Sequence, residues 1–238
     1  MSELEQHTKK KNENPWMVWL GGGLLLVSMV FVLVGVSSGF NNIQLWFSFL
    51  GVSILGSFIL VAGWWAIKTD PKVPSPNWLF WLMVGAVILR IMVGVVWYSA
   101  LPVMGYGSQP ELRGYVMADA HERDQAAWKL ARSDQPLFKA FTSQRKADQY
   151  GGMLFFSAII YRYLGGETHA PLMMIVVTAS VSALTVIFTW AFANRIWSER
   201  VAAVAAVIVV LLPEAVLLGS SQMREAFTMS LAMAALYG

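Results

Sequence analysis

Asp119, His121, Glu122, Arg123 and Asp124 fall within six consecutive positions. Carboxylates, an imidazole and a guanidinium at that density are the side chains of proton transfer, anion binding or metal ligation. Asp119 is the first candidate for a general base. A carboxylate that deprotonates a hydroxyl needs partial desolvation to raise its basicity and a fixed orientation to aim it, and a membrane-water boundary can supply both. Asp124 is the second candidate. It lies five residues on, about 140° around a helix, so the two carboxylates read as alternatives, or as one base and one structural partner. The same residues have a plainer explanation, because Asp119 followed by Glu122 has the spacing of a capping box with Asp119 at the N-cap. Asp119, His121, Glu122 and Asp124 could also hold a metal, but no H-E-x-x-H or EF-hand pattern is present, and a mixed-charge surface helix is the commoner source of such a string. His7 and His169, in a polar tail and a loop, read as solvated.

The element that must carry these residues is a helix over about 117–131, rich in strong helix formers and lying against a membrane surface. It sits in a polar excursion, 101–150, that holds 13 of the 31 charged residues. Elsewhere charge is scarce: none occurs from Asn14 to Ile67, and 57% of the 238 residues are hydrophobic. Only 13% are charged, against roughly 25% in a soluble domain. A soluble globular protein is thereby excluded and an integral membrane protein predicted. The absence of cysteine removes disulfides, thiolate zinc sites and a cysteine nucleophile. G-x-G-x-x-G, P-loop and G-x-S-x-G patterns are missing as well. The net charge of +3 forms no basic stripe interleaved with aromatics, so no nucleic-acid partner is expected.

The chain reads as an all-α polytopic membrane protein of about six transmembrane helices, with interfacial helices in a long first extracytoplasmic loop. Apolar runs occupy Trp16 to Val36, Leu45 to Ile67, Trp78 to Ala100, Pro171 to Asn194 and Val201 to Leu218, with shorter runs over Gly151 to Leu164 and Ala226 to Gly238. A span needs about 20 apolar residues. The 151–165 segment therefore suits an interfacial helix, and the last run suggests the N-terminal part of a longer protein. Residues 1–14 read as a disordered cytoplasmic tail, 15–72 as an accessory transmembrane hairpin, and 73–238 as the first part of a larger membrane module. Lys9 to Lys11, Lys68, Lys72, Arg195 and Arg200 place the N-terminus in the cytoplasm and loop 101–150 outside. Arg90 falls mid-span, where a lone charge costs at least about 2.5–3.5 kcal/mol. Glu214, at a similar depth beside Pro213, is the expected partner in a structural intramembrane pair.

The order of elements resembles the start of the GT-C glycosyltransferase fold. The resemblance is carried by the outer-loop helix from Asp119 to Ala131, the short helix from Asp148-Gln149-Tyr150-Gly151-Gly152 to Leu164-Gly165, and the turn Arg195-Ile196-Trp197-Ser198-Glu199-Arg200. Leu212-Pro213-Glu214 and Arg224-Glu225-Ala226 follow. These look like the protein O-mannosyltransferase and aminoarabinose-transferase branch, and the likeness covers about 78–238. It implies transfer of a sugar from a polyprenyl-phosphate carrier to an unknown acceptor on the extracytoplasmic face of the cell membrane. Asp119 or Asp124 would be the catalytic base. Arg123 and Arg224 would stabilise the leaving phosphate, with Glu225 and Asp148 completing the substrate site. Part of that family uses a divalent metal and part does not, so no cofactor is certain. Asp148-Gln149-Tyr150 replaces a proline-rich start usual in that branch, and Arg123 stands where an aromatic residue is common. The competing expectation is a non-catalytic membrane protein, a transporter half or an assembly subunit.

Overall fold

The structure, a computed structural model, describes residues 29–37, 40–71, 73, 75–142 and 151–238. Among these residues the chain is helical and contains no strand. After a helical stretch over 29–37 come α1 (Ile43–Lys68), α2 (Asn77–Met104), the single turn α3 (Gln109–Leu112) and α4 (Ala118–Ala131). A 3-10 turn, Leu137–Phe141, leads towards α5 (Gly152–Tyr163). The chain then continues through α6 (Leu172–Ile196), α7 (Glu199–Leu211), α8 (Pro213–Gly219) and α9 (Arg224–Tyr237).

Among the described residues three helices, α1, α2 and α6, are long and apolar enough to cross a membrane, and a fourth candidate is α7 with α8 taken together. Helix α6 has 25 residues. With a rise of about 1.5 Å each it reaches about 38 Å, enough for a hydrocarbon layer of roughly 30 Å. The expected spans from Leu45, Trp78 and Pro171 correspond to these helices. The first expected span lies largely outside the described residues, as do Lys72 and Asp148. Helix α9 has 14 residues. Its length of about 21 Å falls short of a crossing.

The bundle is organised around α6, whose most apolar stretch is 83% buried in protein, against 33% for α1 and 39% for α2. Helix α6 contacts α1, α2, α7 and α9. Small side chains permit this approach, since without a hydrophobic drive in lipid, helices associate through close packing. Ala179, Ser180, Ser182 and Ala183 are buried on α6, and Gly56 of α1 meets Ser180 so closely that a Cβ would come within 2.6 Å of its Oγ. The outer faces of α1 and α2 expose Phe47, Phe58, Trp65, Met92 and Val96. An apolar surface of that extent needs hydrocarbon around it.

Arg90 of α2 is fully buried, and the structure does not pair it with Glu214. Glu214 is exposed at the start of α8. The guanidinium instead donates to three backbone carbonyls: Nη1 to Ala86 at 3.1 Å, Nη2 to Val209 at 3.4 Å and Nε to Ala215 at 3.4 Å. The physical reason is Pro213. It has no amide hydrogen, so the Val209 carbonyl loses its i+4 donor, and the chain bends by 55° between α7 and α8. Carbonyls freed at a break inside a membrane must be satisfied within the protein, and Arg90 does so. Gly219 makes room for it, since a Cβ there would lie 2.5 Å from Arg90 Cδ.

At the opposite end of α6, Arg195 Nη2 lies 2.5 Å from Asp70 Oδ2, which also accepts from the Tyr237 hydroxyl at 2.8 Å. This ties the α1–α2 link to the ends of α6 and α9.

Candidate active site

Helix α4 buries Ala120, Arg123, Asp124, Ala127, Leu130 and Ala131. This is one stripe at helical spacing, and it leaves Asp119, Glu122 and Lys129 outside it. The two candidate aspartates are thus separated as helical geometry requires, with Asp124 turned inward and Asp119 outward. The capping expectation is corrected here: Met117, not Asp119, is the N-cap, and it makes no side-chain cap bond. Asp119 instead sits in the first turn, where its charge favours the positive end of the helix dipole. The capping contact occurs earlier, where the Ser108 amide donates to Glu111 Oε2 at 3.0 Å. That bond holds the Glu111 carboxyl below its usual range.

Helix α5 packs its own buried stripe, Met153, Leu154, Ser157, Ala158, Ile160 and Tyr161, towards α4. Arg162 fixes the two helices end to end. Its Nη2 donates to the carbonyls of Leu130 at 2.7 Å, Ser133 at 2.9 Å and Gln135 at 3.0 Å, and its Nε to Ala131 at 3.1 Å. Leu130 and Ala131 are in the last turn of α4, where carbonyls run short of amide donors, and Ser133 and Gln135 belong to the turn that follows it. Before α4, Gly114 adopts φ +80° with Tyr98 backbone packed against it, a turn that only glycine enters cheaply and that delivers Tyr115 to the inner face of α4.

Asp124 is the centre of the resulting cluster. It is 0% exposed, with Oδ1 accepting from the Tyr161 hydroxyl and Oδ2 from the Tyr115 hydroxyl. His169, from the loop between α5 and α6, places Nε2 2.6 Å from Oδ2, off the line of a good hydrogen bond. Burial and the Asp124 charge push both tyrosine hydroxyls well above their usual range, so they remain proton donors. His121 stacks edge-on against Tyr115 at 5.0 Å. Burial lowers its pKa, and the nearby Asp124 charge opposes that shift. Trp128, one turn beyond Asp124, meets Tyr161 at 5.5 Å and His169 at 5.0 Å, and Arg132 lies 4.6 Å above the indole.

The turn 220–223 closes the cluster from the side. Arg123 is buried and donates through Nη1 to the Gln222 carbonyl at 2.7 Å. Gln222 in turn donates to the Pro171 carbonyl at 3.2 Å. Arg123 Nε and Gln222 Oε1 are buried with no protein partner. Arg224 and Glu225 meet each other, Nε to Oε1 at 3.3 Å, with both side chains partly exposed. A narrow cleft lined by Tyr98, Tyr115, Ala120, Pro171, Ser221 and Gln222 runs beside the cluster. Its space holds about one water.

The structure therefore brings Arg123 and Asp124 to one centre and pairs Arg224 with Glu225. Asp119 stays on the surface, and Asp148 is outside the described residues. No protein family, curated protein or solved structure matches the chain. The site must be read from its own chemistry. Among the described residues no three metal-ligating side chains converge. Sequence reasoning missed Tyr115, Trp128, Tyr161 and Gln222, and its reading of His169 as solvated is corrected, since Nε2 is buried beside Asp124. Trp128 was accessible to it in principle, since it falls four residues after Asp124 on the same face.

Proposed function

We propose that this protein is a membrane glycosyltransferase of GT-C-like architecture, moving a sugar from a polyprenyl-phosphate carrier to an acceptor hydroxyl at the extracytoplasmic face, with its acid-base site centred on Asp124. One observation carries the reading: a fully buried carboxylate at one end of a helical membrane bundle, oriented by Tyr115 and Tyr161 and flanked by His169. Desolvation and fixed orientation are what a base for a hydroxyl nucleophile needs. Asp124 has both, whereas Asp119 is exposed. The role first assigned to Asp119 passes to Asp124, and Asp119 contributes only surface charge. Arg123 retains a buried Nε without a protein partner, a cation available for the negative charge that develops on the leaving phosphate. Arg224, partly exposed, is the second candidate for that role. The span count belongs to the same proposal: 16–36 and the bent pair α7–α8 join α1, α2 and α6, which makes five of the about six expected spans.

The test is release of polyprenyl phosphate from radiolabelled polyprenyl-phosphate hexoses and pentoses by the full chain in lipid vesicles. Asp124→Asn should abolish release and Asp119→Asn should leave it near the unmodified rate. Full activity in Asp124→Asn would sink the assignment. A second reading, a non-catalytic membrane subunit, draws on the water-sized cleft, which as it stands admits no sugar. Failure of every donor with a well-folded unmodified chain would favour it.

A further inference from the structure

We propose that the acceptor proton passes to His169, held against Asp124, rather than to Asp124 directly, which then acts as the positioning carboxylate of the same site. This rests on the glycosyl-transfer reading above. Asp124 is enclosed, and its oxygens already receive two tyrosine hydroxyls. His169 is the less enclosed partner. Its Nε2 is buried beside Oδ2, while 21% of the side chain remains exposed. With Nε2 against the carboxylate, Nδ1 is the ring nitrogen left to meet a ligand. A base oriented by a buried third group is the arrangement that activates hydroxyl nucleophiles in general.

The ring lies between Trp128 at 5.0 Å and Tyr161 at 5.4 Å, which fixes its plane beside the carboxylate. The charged and titratable groups around it are Asp124, His121 and Arg132 from α4 and its end, Tyr161 from α5, and Tyr115 from the preceding loop. Tyr115 and Tyr161 hold their protons and His121 packs on Tyr115, leaving His169 as the imidazole in contact with the carboxylate.

In the step, the acceptor oxygen bonds to the anomeric carbon as the bond from that carbon to the phosphate oxygen breaks. The electron pair leaves on the polyprenyl phosphate. The acceptor proton passes to Nδ1 of His169, Asp124 stabilises the imidazolium at Nε2, and the proton is later lost to water.

The experiment uses the full chain in lipid vesicles with the radiolabelled polyprenyl-phosphate sugars, following release of polyprenyl phosphate between about pH 5 and 8, where histidine changes charge. The unmodified chain should show a rate that rises with pH through that window. His169→Gln should lose on the order of 100- to 10,000-fold, lose the pH-dependent limb, and recover part of its rate when imidazole is added. Unmodified activity in His169→Gln overturns the role of His169 while glycosyl transfer stands. A reduced rate with the pH limb retained and no rescue by imidazole makes His169 a structural prop and also overturns it. If the unmodified chain, shown to be folded, releases nothing from any donor, the transferase reading itself fails and takes this step with it. Should His169→Gln not fold, the unmodified chain decides, and a rate flat across the window overturns the proposal.

Discussion

Arg90 Nη2 donates to the carbonyl of Val209, the backbone group that Pro213 leaves without an amide donor. Removing the guanidinium would leave that carbonyl unsatisfied in an apolar bundle, at a cost of about 1–3 kcal/mol. Arg90→Leu should lower the thermal midpoint in detergent micelles accordingly. Glu214→Gln, on an exposed side chain that Arg90 does not contact, should stay within about 0.5 kcal/mol of the unmodified protein. Equal losses in both variants would restore the ion pair.

Asp124 and Asp119 separate in the same manner. Asp124→Asn keeps the shape of the side chain but removes the charge that accepts from Tyr115 and Tyr161, and hydrogen bonds to charged groups contribute about 1.5–3 kcal/mol each. Equilibrium unfolding in denaturant should show a loss of that order for Asp124→Asn and little change for Asp119→Asn. A larger loss at Asp119 would mean that α4 presents the opposite face to the bundle.

The contrast explains how far the sequence could be read. Span positions were legible because a bilayer imposes one length and one composition, so Leu45, Trp78 and Pro171 mark helices α1, α2 and α6 closely. The helix bearing Asp124 was legible from its helix formers, and its angular separation from Asp119 followed from helical geometry. Which face turned inward was not. That choice is made by α5, the 165–170 loop and the 220–223 turn, through Tyr161, His169 and Gln222, contacts between residues far apart in the chain that leave no local pattern. Arg90 shows the same limit. Depth along a helix places Glu214 at its level, but the 55° bend at Pro213 turns Glu214 away and exposes carbonyls in its place.

Arg162 holds the end of α4 through four backbone carbonyls, from Leu130 to Gln135. Each such bond contributes about 0.5–1.5 kcal/mol net. Arg162→Met should therefore raise amide hydrogen exchange across α4 and the 132–136 turn while leaving α6 unchanged. Arg162→Lys should recover only part of the protection, because an ammonium lacks the planar fork that reaches several acceptors. Unchanged exchange in α4 would show that its packing on α5 suffices without the cap.

His121 makes a prediction about pH. Burial disfavours its charged form, so its pKa in the folded protein is depressed below the ordinary value of about 6.5. The unfolded chain then binds the proton first as the medium is acidified, and stability falls. The contribution of this residue is complete above about pH 6.5 and is lost as pH drops through the folded-state pKa. Thermal midpoints measured from neutral towards mildly acidic pH should decline less steeply for His121→Gln than for the unmodified protein. The Asp124 charge opposes the shift, so Asp124→Asn should make the decline steeper by depressing the His121 pKa further. If His121→Gln followed the unmodified curve, His121 would be titrating as a solvated residue, and its packing against Tyr115 would carry no charge preference.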